Sequence, residues 1–426
     1  MTNAAVDVPP RPPRRWMAAL NGMRATFGPG ALVAVGYMDP GNWATDLGAG
    51  SAYGYSLLSV VLISSLMAIV LQSLAARLGI ATGLNLAQAC RSRYPRPVAL
   101  GLWITSQVAI IACDMAEVVG AAFALKLLFG MPLLGGVFLG AVGTLGLLLL
   151  ERPGRRHLET AIVLLSLLVA ACLFVDVFMA RPSFQEAALG LLPSTDVISD
   201  RGRLLLAVGI VGATVMPHNL YLHSALAARS ESGSAPSLSA RRSRLNWAIG
   251  DTCLALSLAF FVNAAILVLA AAAFGASGHK VADFGEAYRL LTPLLGTSVA
   301  SLLFGVALLA AGQSSTVTAT MAGGIIAEGF LGMRVAPWRL RLATRCGALV
   351  PAVLAIVLAG EGSLTWLLVL SQVVLSLQLP FAVVPLILLC RDRRLMGELV
   401  APKFLTAIAV SIATVLMLLN AVLLLG

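Results

Sequence analysis

Apolar residues in this chain follow neither the alternation of a surface strand nor the one-sided stripe of a surface helix. They come in long stretches, apolar all the way round. A helix that crosses a bilayer needs about 20 mostly apolar residues. Eleven stretches meet that length, near 29–53, 55–76, 98–125, 131–150, 158–180, 203–227, 246–274, 293–330, 342–360, 364–389 and 404–425. The links between them are short, and none has the polar composition of a separate soluble domain. The pattern predicts an all-α integral membrane protein, with a Pro- and Arg-rich tail over 1–28 and one transmembrane domain over 29–426.

Composition agrees. Hydrophobic residues make up 59% and charged residues 11%, against about 25% charged in a soluble domain. The chain lacks the polar surface to face water all round, which excludes a cytosolic enzyme, a secreted disulfide scaffold and a disordered regulator. No apolar leader with a cleavage site opens the sequence.

The net charge of +10 raises the question of nucleic acid, and the placement of the charges answers it. With the N-terminus in the cytoplasm, only Lys126, Arg181, Arg201, Arg203, Lys280 and Arg289 fall outside. The other 23 of the 29 basic residues fall in the tail and the inner loops. That bias is the positive-inside signal, so the charge is accounted for by the lipid bilayer and calls for no nucleic acid. It predicts an inner N-terminus and an outer C-terminus, and the short loops, short tail and lack of a targeting segment point to a multi-pass protein of the plasma membrane. The six cysteines form no CxxC pair and read as small buried hydrophobes.

Eleven stretches divide into five, five and one: a first repeat over about 29–180, a second over about 203–389 and an extra helix over about 404–425. Each half opens on a stretch interrupted by proline. The first holds Asp39-Pro40-Gly41-Asn42 and the second Met216-Pro217-His218-Asn219. An odd number of spans per half inverts the second half relative to the first. Proline inside a membrane helix frees carbonyls that lipid cannot satisfy. Matching interruptions in two halves point to a transporter's midplane site.

Asp39 falls near the bilayer centre, where an ionised carboxylate costs a few kcal/mol even on mild scales and marks an ion or proton path. Met216 holds the same offset from its proline. Thioether sulfur suits softer transition metals and not Mg²⁺ or Ca²⁺. Oxygens of Asp39 and Asn42, a freed Ala213 carbonyl and the Met216 sulfur would make a mixed site suited to Mn²⁺, Fe²⁺ or Cd²⁺.

With DPGN in the first stretch and MPHNLYLHS in the sixth, the chain strongly resembles the Nramp family of divalent-metal transporters. GQSSTVTATMAG at 312–323 and SQVVLSLQLPFAVVPL at 371–386 extend the resemblance over nearly the whole chain. It implies a leucine-transporter-like fold of 5+5 inverted repeats with helices 1 and 6 broken. It also implies proton-coupled import of Mn²⁺ or Fe²⁺, with Cd²⁺ and Co²⁺ as further substrates, by a protein that is not an enzyme, needs no cofactor and works as a monomer. The implied metal ligands are Asp39, Asn42, Ala213 and Met216, joined by Gln372 when the site is occluded. Family members that carry Mg²⁺ lack the methionine.

Proton coupling needs titratable groups beside the metal. Asp114 and Glu117 stand three apart on one helical face, His218 follows Met216 by two, and Arg345 starts the ninth span. These match the family's proton route. Many relatives carry glutamate where this chain has Gln107. Thr45, Gln72 and Asn263 are secondary candidates for the polar lining, equally open to a helix–helix role, while His223 and Asp251 read as structural.

Three other readings compete. An intramembrane metalloenzyme lacks HExxH and any His cluster. A channel does not need paired broken helices. An amino-acid-type carrier of the same fold would want helix N-termini and no central carboxylate for its anionic group.

Overall fold

The computed structural model describes residues 29–148, 157–228, 237–275, 281, 284–332, 337–360 and 364–425. The predicted 1–28 tail lies outside them. Every regular element among the described residues is helical. In chain order the long ones are α1 (Pro29–Gly36), α2 (Pro40–Tyr53), α3 (Leu58–Thr82), α4 (Arg96–Phe129), α5 (Leu133–Leu148), α6 (His157–Ala180) and α7 (Arg201–Val215). They continue with α8 (Pro217–Ala228), α9 (Leu238–Ala270), α10 (Ser298–Leu331), α11 (Pro337–Ala359), α12 (Leu364–Arg391) and α13 (Lys403–Leu425). Since α1 with α2, and α7 with α8, each make one broken crossing, these helices supply the eleven predicted spans.

Span limits shift where local capping overrides the apolar run. The stretch at 293–330 predicts one helix, but Pro293 belongs to a separate helix, Phe284–Leu295. The crossing itself starts at Ser298, behind a Thr297 hydroxyl that accepts from the Val299 amide. The second span runs on to Thr82 and closes on Gly83 in the left-handed region.

The two breaks arise differently. At the first, α1 ends in a tight turn, with Tyr37 and Met38 amides donating to Ala34 and Val35 carbonyls. Asp39 then caps α2, its carboxylate accepting from the Gly41 and Asn42 amides, with Pro40 at the first helical position. Proline is pre-organised there and an Asp cap is worth about 1 kcal/mol. At the second break Met216 takes φ +40°, a conformation that costs a non-glycine residue of order 1–3 kcal/mol.

Helix α10 packs along α4, α12 along α7, and α8 along α3, while α2 rests on α9. The broken crossings are thereby enclosed. Residues of α2 from Pro40 to Leu47 are all buried. Outer helices turn large apolar groups such as Phe174, Phe178 and Phe404 outward, as lipid-facing positions require.

Candidate metal site

Asn42 draws the two breaks together. Its amide nitrogen donates to the Asp39 carboxylate at 2.7 Å, the Tyr37 carbonyl at 3.1 Å and, across the fold, the Ala213 carbonyl at 3.1 Å. Asp39, Asn42 and Ala213 are 0% exposed. The Asn42 side-chain oxygen Oδ1 is buried with no partner among the described residues, leaving an oxygen available at the junction.

Met216, also fully buried, forms the turn of the second break, three residues beyond Ala213. Its sulfur accepts from the Asn219 amide at 3.4 Å. Gln372 on α12 wedges between the two breaks. A Cβ at Gly41 would collide with its side-chain amide, and one at Gly212 with its carbonyl, so only glycine allows this approach. Gln372 donates to the Ser371 hydroxyl at 2.9 Å, and its side-chain oxygen has no partner among the described residues. Asp39, Asn42, the Ala213 carbonyl and Gln372 therefore meet at one buried junction, with Met216 in the turn that follows Ala213. Its chemistry is one carboxylate, two amide oxygens, a backbone carbonyl and a thioether.

The predicted proton residues gather on the α4 side. Asp114 and Glu117 are each 1% exposed and His218 2%. Cys113, by sequence a small buried hydrophobe, lies among them: its sulfur is 3.7 Å from Glu117 Oε1 and 3.8 Å from His218 Nε2. Arg345 lies on α11, but its side chain falls outside the described residues, and with it the predicted pairing to Asp114 and Glu117.

Of the secondary candidates, Thr45 spends its hydroxyl on its own helix, donating to the Gly41 and Asn42 carbonyls. Gln72 and Asn263 converge on Tyr37 instead. Gln72 donates to the Tyr37 hydroxyl oxygen at 2.7 Å and Asn263 to the Tyr37 carbonyl at 2.9 Å. The tyrosine hydroxyl in turn donates to the Val215 carbonyl freed at the second break, at 3.5 Å. His223 Nδ1 faces the Gln72 side-chain oxygen at 3.0 Å. Asp251 accepts from the Gly30 amide at 2.7 Å, tying the start of α1 to α9. Both fit the structural reading.

Tyr37 and Asp46 were missed by sequence reasoning. Asp46 lies two turns beyond Asp39 on the same face of α2, 0% exposed, with neither oxygen partnered among the described residues. The seven-residue spacing within GYMDPGNWATD was the available signal.

Comparison with known proteins bears on the whole chain. The family model described as Nramp, "Natural resistance-associated macrophage protein-like", matches residues 30–426. A relative from Xanthomonas campestris pv. campestris named "Divalent metal cation transporter MntH" is 54% identical over 402 residues, covering 93% of this chain and 89% of that one. The crystal structure of a manganese transporter from Eremococcus coleocola superposes with TM-score 0.85 at 37% identity, covering 98% of this chain and 88% of that one. The nucleobase-cation-symport-1 family transporter MHP1 matches at TM-score 0.65 and 16% identity, a likeness of fold alone.

Proposed function

This chain belongs to the Nramp family and is a divalent-metal transporter, and we propose that the junction of its two broken helices is the cation site. Asp39, Asn42, the Ala213 carbonyl, Met216 and Gln372 supply the ligands. The observation that carries the reading is the Asn42 amide reaching both the Asp39 carboxylate and the Ala213 carbonyl. The amide N–H₂ group bridges the Asp39 carboxylate, which also accepts from the Gly41 and Asn42 backbone amides, and the Ala213 carbonyl. When the ion enters, rotation of the Asn42 amide brings its oxygen inward, and the amide donor gives way to an acceptor set. Charge balance favours this exchange, because the junction holds one carboxylate and no basic group among its ligands. Sulfur from Met216 biases the site toward Mn²⁺, Fe²⁺ and Cd²⁺ over alkaline-earth ions.

Import proceeds by alternating access and is coupled to protons, which travel by way of His218, Asp114, Glu117 and Arg345. The working unit is the monomer in a plasma membrane, the N-terminus cytoplasmic and the C-terminus outside, as the basic loops support. Polar contacts of Gln72 and Asn263 with Tyr37 hold the first break in place beneath the ion.

Purified protein in liposomes, with an imposed pH gradient, tests the reading. Mn²⁺ uptake accelerated by an inward proton gradient, with no uptake of labelled amino acids, is expected. Uptake of amino acids without Mn²⁺ would overturn it.

A further inference from the structure

Asp46 is a second buried carboxylate on α2, and the ligand set at the junction leaves it unused. It is 0% exposed, and neither of its oxygens has a partner among the described residues. Seven residues on from Asp39, it lies two turns further along the helix, about 10 Å by helical rise, on the same face. The charged group within its electrostatic reach is Asp39, and among the described residues no basic group is. An ionisable side chain held inside a membrane without a partner marks an ion path.

That face of α2 lies along α9, and the two helices run in the same sense. Asn263 on α9 donates to the Tyr37 carbonyl just ahead of α2. One turn on, the Leu267 carbonyl lies so close to Gly50 that a Cβ on the glycine would collide with it. Asp46 comes one turn before Gly50, and Asn263 one turn before Leu267, so the register sets both at one level of the seam. The Asn263 side-chain oxygen is also buried with no partner among the described residues. Beyond Gly50 the seam ends at a cavity of about 570 Å³, lined by Ser51 and Tyr53 at the far end of α2 and by Ala271 and Gly275 of the turn that follows α9. From that cavity inward, α2 carries in order the Gly50 contact, Asp46 and Asp39.

We propose that Asp46, with Asn263, forms a second cation station two turns outward of the Asp39 site, which holds the divalent ion before it reaches Asp39. Its donors are oxygen alone, one carboxylate and one amide, so the station takes Ca²⁺ as well as Mn²⁺. Selection then falls to the sulfur of the inner site. Negative charge between low-dielectric walls concentrates cations and raises their rate of arrival. No three His, Cys, Asp or Glu side chains group together among the described residues, so the station holds its ion loosely, as a place of passage must. The inference rests on the reading of the Asp39 junction as the cation site and of α2 as running outward from it.

The test sets Mn²⁺ uptake in proteoliposomes beside Mn²⁺ binding in detergent, read by loss of the free-ion EPR signal. Asp46→Asn should raise KM for Mn²⁺ about tenfold, with kcat and the Kd of the tight site within threefold of wild type. Asp46→Glu, which keeps the charge, should hold KM within threefold. Asp39→Asn should still bind one weak Mn²⁺ that millimolar Ca²⁺ displaces, and the double variant Asp39→Asn/Asp46→Asn should bind none. A wild-type KM in Asp46→Asn, or weak binding that survives in the double variant, would overturn the station. An asparagine variant that does not fold is replaced by Asp46→Ser, read by the same KM and the same double-variant binding. If Asp39→Asn weakens the tight site while Asp46→Asn is silent, only the station fails. If Asp39→Asn binds Mn²⁺ as tightly as wild type, the inner site fails and the station with it.

Discussion

Replacing Asp39 by Asn separates the metal-binding role of the carboxylate from its structural one. In the folded chain one carboxylate oxygen accepts from the Asn42 backbone amide at 3.1 Å and its side-chain amide at 2.7 Å, and the other from the Gly41 amide at 3.2 Å. Asparagine keeps an oxygen for the first pair and remains a good N-cap. It sets an N–H₂ group against the Gly41 amide, so one hydrogen bond is lost, at about 1 kcal/mol. Removing an ionised group from the membrane interior offsets that loss. Stability should therefore stay within about 1–2 kcal/mol of wild type. Binding is affected differently, because the bound cation loses the only formal charge among its ligands. Breaking a buried charge pair costs about 3–5 kcal/mol, which raises the Mn²⁺ Kd by about two to three and a half orders of magnitude. Calorimetric titration with Mn²⁺ and a thermal melt of the same detergent-solubilised sample read the two effects separately. A Kd within threefold of wild type, in a protein that melts normally, would sink the site assignment.

Met216→Ala should lower discrimination against Ca²⁺ and Mg²⁺ more than it lowers Mn²⁺ transport, with Cd²⁺ transport losing more than Mn²⁺. Mn²⁺ and Cd²⁺ uptake against millimolar competitor, variant beside wild type, is the check. Gly120→Ala places a Cβ against the Pro40 ring. Overpacking of about 1–3 kcal/mol would push α2 and its Asp39 cap off the junction, so Mn²⁺ affinity should fall about tenfold, measurable by calorimetry. Outside the membrane spans, Asp200 caps α7 by accepting from the Arg203 amide at 2.6 Å and the Tyr53 hydroxyl at 2.9 Å. The Arg203 amide bond, followed by that from Tyr53, holds its carboxyl below the ordinary value. A depressed carboxylate stabilises above its unfolded pKa of about 3.9 and loses that contribution as pH falls through the folded value. Asp200→Ala should thus melt below wild type at pH 7, and the gap should close as the pH is lowered past 3.9, followed by melting curves across that range.

The crossings and the two breaks were legible in the sequence because their causes are local. A run of apolar residues commits a segment to lipid whatever its neighbours do. Pro40 and Pro217 interrupt hydrogen bonding within their own turns, and basic loops follow the side of insertion. Residue type alone marked Asp39 as unusual for a membrane interior, whereas Met216 was marked by its position beside the second proline. What the tertiary structure decided depends on contacts between distant parts of the chain. Thr45, Gln72 and Asn263 look alike as polar residues in apolar runs. Yet Thr45 bonds within its own turn, while Gln72 and Asn263 meet at Tyr37, from helices far apart in sequence. The sequence grouped Cys113 with five other buried cysteines. Only the packing of α8 against α4 sets a histidine on one side of its sulfur and a glutamate on the other. Helical spacing fixes which residues share a face, but the partner of that face is chosen by the whole bundle.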